Sequence, residues 1–193
     1  MFLTRDLPPA IPEDVFRIDN SQFEKWSSLN DTIMGGSSHA SCSATTQGLL
    51  LKGILIEQGG GFVSCRSPVY FPPLNLSSFR GVQLEIEGEG RVLKFGISCK
   101  KLTLGLSRFV TGDVRWVASV PTNKSGLTSI RLPFNSFEPS VRARPVLLPL
   151  KFDPSCIEQF QLLHSKFGQP GKMNSGFRAG PIKVLLRSIN AYF

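Results

Sequence analysis

The segment Val82-Gln83-Leu84-Glu85-Ile86-Glu87 alternates apolar and polar residues without a break. A period of two places Val82, Leu84 and Ile86 on one face of an extended strand and Gln83, Glu85 and Glu87 on the other. One face is built for a core and the other for water. No long amphipathic helical segment separates this strand from its neighbours, which restricts the chain to sheets packed on sheets. Gly88-Glu89-Gly90 reads as a turn, and Leu93, Phe95 and Ile97 then alternate with Lys94, Gly96 and Ser98 as in a hairpin. Leu49–Glu57 reads as a strand, Gly59-Gly60-Gly61 as its turn and Phe62–Arg66 as the returning strand.

Further strands are predicted at Phe16–Ile18, Ser107–Val110, Val114–Val120, Thr128–Leu132, Phe160–Ser165 and Ile182–Ile189, with Leu29–Ser38 as a loop. Two short helices complete the reading. One lies around Gln22–Trp26, capped by Asn20 or Ser21 with Glu24 placed for a capping box. The other is Pro154–Gln159, capped by Asp153 with proline in the first turn. The predicted fold is all-β, an antiparallel β-sandwich. Residues 1–15 read as a Pro-rich extended arm, and residues 16–193 as a single domain with no compositional break.

The 193-residue chain carries a formal charge of +8, distributed unevenly. Residues 1–90 hold six basic and ten acidic side chains, while residues 91–193 hold sixteen basic and four acidic. Such asymmetry predicts one surface that meets something acidic. The candidates for it are Arg91, Lys94, Lys100, Lys101, Arg108, Arg115, Arg142 and Arg144.

Much chemistry is excluded. No apolar run approaches the ~20 residues of a membrane-spanning helix. The N-terminus shows neither a secretory signal nor an import leader. Cys42, Cys65, Cys99 and Cys156 form no Cys-x-x-Cys pair and read as free, buried thiols of a protein in a reducing cytoplasm. His39 and His164 have no ligand-spaced neighbours, so no metal and no cofactor is expected. The triplet 59–61 lacks the Lys-Ser/Thr of a phosphate loop, no Gly-x-Ser-x-Gly elbow occurs, and Gly88-x-Gly90 fails as a dinucleotide fingerprint. Glu85, Glu87 and Glu89 read as a solvated sheet face. No enzyme is expected.

One pair of motifs goes beyond composition. Trp26-Ser27-Ser28-Leu29-Asn30-Asp31-Thr32-Ile33-Met34-Gly35-Gly36 is followed by Gly59-Gly60-Gly61-Phe62-Val63-Ser64-Cys65-Arg66. Together they resemble the signature of the complex I intermediate-associated protein 30 family. The likeness extends to Leu76–Val82, to the turn Gly88-Glu89-Gly90-Arg91, to Leu132-Pro133-Phe134-Asn135-Ser136-Phe137-Glu138-Pro139 and to Ile189-Asn190-Ala191-Tyr192. The chain departs from the family pattern at Glu89, Leu93, Val141–Arg144 and Lys166–Ser175. The resemblance implies a galactose-binding-like jelly-roll β-sandwich. It also implies a non-catalytic assembly factor or chaperone, here a stand-alone bacterial member, whose partners are protein subunits of a membrane-bound respiratory or photosynthetic electron-transfer complex. An anionic membrane surface is a further expected partner, and nucleic acid ranks below both. The expected location is cytoplasmic, or peripheral on the cytoplasmic membrane or thylakoid face. An RNA-binding factor and a carbohydrate-binding module are the alternatives.

The family-signature positions are Trp26, Asn30, Asp31, Met34, Gly35, Gly36, Gly60, Gly61, Phe62, Ser64 and Arg66. Asn30 and Asp31 carry short polar side chains that hydrogen-bond nearby backbone and fix a loop. Gly35 and Gly36 permit positive φ. Arg66 is expected to pair with Asp31 and close the two motifs into one site, read as an internal brace with a ligand-binding site as the alternative. The signature brace and the basic docking surface are expected to be separate features.

Overall fold

The computed structural model describes residues 16–99 and 113–193. Their strands are β1 (Arg17–Asp19), β2 (Ser27–Asn30), β3 (His39–Thr45), β4 (Gly48–Leu55), β5 (Phe62–Arg66), β6 (Gly81–Glu87) and β7 (Val92–Cys99). After these come β8 (Arg115–Pro121), β9 (Thr128–Pro133), β10 (Glu138–Val141), β11 (Arg144–Pro145), β12 (Ile157–Ser165) and β13 (Gly180–Tyr192). They form two antiparallel sheets packed face to face as a jelly-roll β-sandwich. One sheet has the order β3-β4-β13-β6-β9, with β1 also paired to β13. The other has the order β11-β10-β8-β7-β12-β5-β2. The arm 1–15, the strand expected at Ser107–Val110, and Lys100, Lys101 and Arg108 lie outside the described residues.

The core follows the alternation in the sequence. Val82, Leu84 and Ile86 are fully buried and meet Leu93, Phe95 and Ile97 from the opposite sheet. Phe95 and Phe160 stack with ring centroids 5.5 Å apart. A second aromatic group, Trp116, Phe134, Phe137 and Phe152, closes one end. Each such side chain withdrawn from water contributes about 1.5–3 kcal/mol.

Both expected hairpins are absent. β6 pairs with β13 and β9, whereas β7 pairs with β12 and β8. Glu89 (φ +53°) and Gly90 (φ +75°) do make a tight turn, but it sends the chain from one sheet to the other. The same holds at 59–61, where β4 lies in the first sheet and β5 in the second. Alternation is a property of each strand and does not reveal which strand is its neighbour.

The segment 29–38, read as a loop, contains the end of β2 and the 3₁₀ turn Asp31–Met34. β3 was not expected, because its short polar residues hide the period of two. The two expected helices are single 3₁₀ turns, Asn20–Phe23 and Pro154–Cys156. The first starts after Asp19, whose N–H donates to Gln22 Oε1 at 3.0 Å, in place of the expected Asn20 or Ser21 cap with Glu24. In the second, Asp153 accepts from Ser155 N at 2.9 Å as expected, and β12 takes over at Ile157.

The cysteines are not free. Cys42–Cys65 joins β3 to β5 across the two sheets, with Cα atoms 5.8 Å apart, and Cys99–Cys156 ties the end of β7 to the turn before β12. The inference of a reducing compartment therefore loses its premise. Among the described residues no helix is long and apolar enough to cross a membrane, and no cluster of His, Cys, Asp or Glu is arranged to hold a metal.

Candidate functional site

Asp31 is completely buried, and its carboxylate ties three segments together. Oδ1 accepts from Ser38 N at 2.9 Å. Oδ2 accepts from Ser38 Oγ at 2.6 Å, Gly61 N at 2.7 Å and Phe62 N at 3.3 Å. Ser38 Oγ in turn accepts from Ile56 N at 2.8 Å. Burial pushes the carboxyl pKa up, but these donors outweigh it and hold the group below its ordinary value.

The glycines of the signature have a direct steric reason. A Cβ on Gly36 would stand 2.4 Å from Asp31 Cγ, and one on Gly60 would stand 2.4 Å from Asp31 Cβ. Gly35 (φ +84°) ends the 3₁₀ turn in the left-handed region. Only glycine lets the two loops close on the carboxylate from both sides.

Arg66 takes no part in this knot. The register pairs Asn30 with Val63 and Ser27 with Arg66, so Arg66 lies level with the start of β2 while Asp31 follows its end. Four residues of strand, about 13 Å, separate the two levels. The expected Asp31–Arg66 bridge does not form. Trp26 is also not part of a surface site: it is 5% exposed and packs edge-on against Phe23 in the core. Asn30 Nδ2 donates to Ala40 O at 2.9 Å, linking β2 to β3.

The knot fixes one wall of a cleft of about 730 Å³ on the outer face of the seven-stranded sheet. Its wall carries Ile33 and Met34, 65% and 67% exposed on the turn that Asp31 anchors. The floor follows from strand register. One row across the sheet runs Leu29, Ser64, Leu163, Lys94. The next runs Arg66, Gln161, Gly96, Val117. Arg115 enters from the row beyond, opposite Ser98 and Ser140. Gly96 leaves room in the middle, where the aliphatic part of Arg115 lies within 3.2 Å of the place a Cβ would occupy.

The floor is polar and cationic. Arg115 Nη1 donates to Gln161 Oε1, Gln161 Nε2 donates to Ser64 Oγ at 2.9 Å, and Ser64 Oγ donates to Leu29 O at 2.6 Å. Burial lowers the Arg115 pKa to about 10, with Arg66 pushing the same way and Asp113 opposing. Burial also lowers Arg66, with Asp113 opposing, and the buried Arg66 Nε has no hydrogen-bond partner. Lys94 is only 5% exposed, and burial brings its ammonium down to about 8.

The basic residues named from sequence thus separate. Arg66, Lys94, Arg115 and Arg142 line the cleft beside the signature residues Met34, Gly60 and Phe62. Arg91 is buried elsewhere, donating to Glu89 at 3.0 Å and Pro181 O at 2.7 Å, and Arg144 is exposed on the edge strand β11. Among the described residues, Lys94 and Arg115 point into the same hollow that the brace walls and so do not form an exposed surface separate from it. Leu163, Gln161 and Phe167 also line it and were not singled out. The Gln161 signal was available in principle, as a polar residue between Phe160 and Leu162, on the face opposite the core.

The site is an open cleft on the outer face of one sheet of a jelly-roll β-sandwich. The model of the complex I intermediate-associated protein 30 family matches residues 16–185, and the chain belongs to that family. A search of curated proteins finds no match. Among solved structures, the chain resembles the family 11 carbohydrate-binding module of the cellulosomal cellulase Lic26A-Cel5E of Clostridium thermocellum. The identity is 17% and the TM-score 0.59, covering 93% of this chain and 96% of that one. It also resembles a family 30 carbohydrate-binding module, at 12% identity and TM-score 0.55, over 94% and 90% of the two chains. An agarase, AgWH50C, matches at 9% identity and TM-score 0.51, over 92% of this chain and 25% of that one. At these identities the likeness concerns the fold.

Proposed function

We propose that this protein is a non-catalytic assembly factor that holds a subunit or intermediate of a membrane-bound respiratory or photosynthetic electron-transfer complex. Family membership supports the assembly role. The observation that carries the mode of binding is the exposed pair Ile33–Met34, held at the cleft wall by a buried carboxylate knot. Adjacent exposed apolar side chains beside a cleft are a surface that a partner can cover. A partner that seats on them and on the cleft below needs no large rearrangement of the sandwich.

A sugar-binding reading is less well supported by the lining. Carbohydrate sites rely on exposed aromatic platforms, and here both tryptophans are buried while, among the described residues, Phe62 and Phe167 are the aromatic residues at the cleft. Among the described residues, the cleft offers an RNA no row of exposed rings for base stacking.

The test is affinity purification of the tagged full chain from its native host at moderate salt. Identified subunits of one membrane electron-transfer complex are the expected companions. The Ile33→Asp, Met34→Asp double variant loses them while keeping its melting temperature. Retention of a β-glucan or of RNA, with no such subunit, would overturn the reading.

A further inference from the structure

The cleft floor gathers positive charge without matching acid. Arg66, Lys94 and Arg115 project from β5, β7 and β8, with β12 between β5 and β7, and the exposed Arg142 also lines the cleft. Asp113 is the one acidic residue among the lining residues, and it is exposed. It serves both Arg66 and Arg115. Among the described residues Lys94 has no ion-pair partner, and Arg66 Nε has no acceptor. The connection 100–112 cannot supply a carboxylate, because its sequence contains Lys100, Lys101 and Arg108 but no Asp or Glu. Buried cations of this kind are normally paired.

The surroundings narrow what would pair them. The cations lie at the bottom of a hollow lined also by Ile33, Met34, Leu163 and Phe167. A bilayer surface is too broad to reach an ammonium that is 5% exposed. A nucleic-acid backbone would find apolar side chains where it needs water or stacking rings. A single extended polypeptide is narrow enough, and alternate residues of a strand point opposite ways. One side can then present carboxylates to the floor while neighbouring apolar side chains meet the walls. The guanidinium forks of Arg66 and Arg115 suit planar carboxylates, and Lys94 supplies a compact third charge.

Resting on the client-binding reading above, we infer that the cleft takes an extended acidic segment of the client polypeptide, with Asp or Glu carboxylates on Arg66, Lys94 and Arg115 and apolar side chains against Ile33 and Met34.

The test uses the full chain and a fluorescein-labelled nine-residue peptide alternating Leu and Glu, read by anisotropy. Its counterpart carries Gln in place of every Glu. The acidic peptide should bind at least about tenfold more tightly than the Gln peptide. Lys94→Met and Arg66→Met should each weaken the acidic peptide by about tenfold and leave the Gln peptide unchanged. Arg187→Met, on the other sheet where Arg187 pairs with Glu87, should change neither. A melting temperature for Lys94→Met at or above that of the parent shows that the variant is folded, since an unpaired buried cation is removed.

Equal affinity for the Glu and Gln peptides overturns the carboxylate assignment. So does Lys94-dependent sedimentation with phosphatidylserine vesicles in place of peptide binding. If native subunits still co-purify through Ile33 and Met34 while the acidic preference is absent, this inference fails and the assembly reading stands. If no subunit co-purifies either, both fail.

Discussion

Asp31 is the residue on which the signature depends. Its two oxygens accept three backbone N–H groups and one hydroxyl, and the residue is fully buried. Asp31→Asn keeps the shape but turns an amide NH₂ or a neutral carbonyl toward those donors. It should cost about 2–4 kcal/mol, read as a lower urea midpoint. Gly60→Ala should be comparably damaging, because the added carbon meets the Asp31 side chain. Asp31 stability is present at neutral pH and is lost as pH falls through its depressed folded value. His164 gives a second window. It is fully buried and stacked on Phe177, with Nδ1 3.1 Å from Val92 O and Nε2 accepting from Arg178 N at 3.4 Å. Burial, helped by Arg91, Arg178 and Lys94 and opposed by the Val92 carbonyl, lowers its pKa from 6.5 to about 4. Between those values the unfolded chain binds the extra proton, so stability falls as pH drops from 6.5 towards 4, by up to roughly 3 kcal/mol. Comparing urea midpoints at pH 7 and pH 4.5 for the parent and His164→Gln should show the smaller loss in the variant.

At the scale of elements, the two disulfides join parts that the hydrogen bonds of the sheets leave separate. β3 is the outer strand of its sheet, and β5 lies one strand in from the edge of the other. Cys42–Cys65 therefore pins the sheets together at one corner, next to the carboxylate knot. The Cys42→Ala, Cys65→Ala double variant should lose about 2–4 kcal/mol, measured by denaturant unfolding. Titration of the denatured parent with a thiol reagent should find no reactive thiol before reduction and four after it. The crossing of β6 to β7 and of β4 to β5 between sheets places consecutive segments on opposite layers. That is why the strand spans 82–87 and 93–97 were legible while their partners were not. Each span needs only its own alternation, whereas pairing is decided by residues a hundred positions away, as when Leu84 meets Ile189.

Over the whole molecule, the lopsided charge acquires a location. Part of the basic excess after residue 90 folds into the cleft, facing a wall made by the net-acidic first half. The cleft is thus assembled from both halves of the chain, with Ile33 and Met34 from one and Lys94 and Arg115 from the other. A partner seated there should protect both in hydrogen exchange. Adding a purified client subunit should slow amide exchange in 31–36 and in β7 together, and leave β4 and β13 on the other sheet unchanged. Protection confined to one of the two segments would divide the cleft into unrelated surfaces.

What the sequence determined by itself was local and covalent: which residues alternate, where glycine must stand, and the family signature around Asn30, Asp31 and Gly60. These depend on side-chain period and backbone sterics within a few residues, and so can be read in order along the chain. Only the tertiary structure decided the partners. It gave Asp31 to Ser38, Gly61 and Phe62 and not to Arg66, paired the four cysteines, and buried Lys94 beside Arg66 and Arg115 in one hollow. The physical reason is register. Shifting a strand by one residue exchanges its faces, and moving it to another neighbour changes every cross-strand contact, while the sequence of the strand itself stays the same.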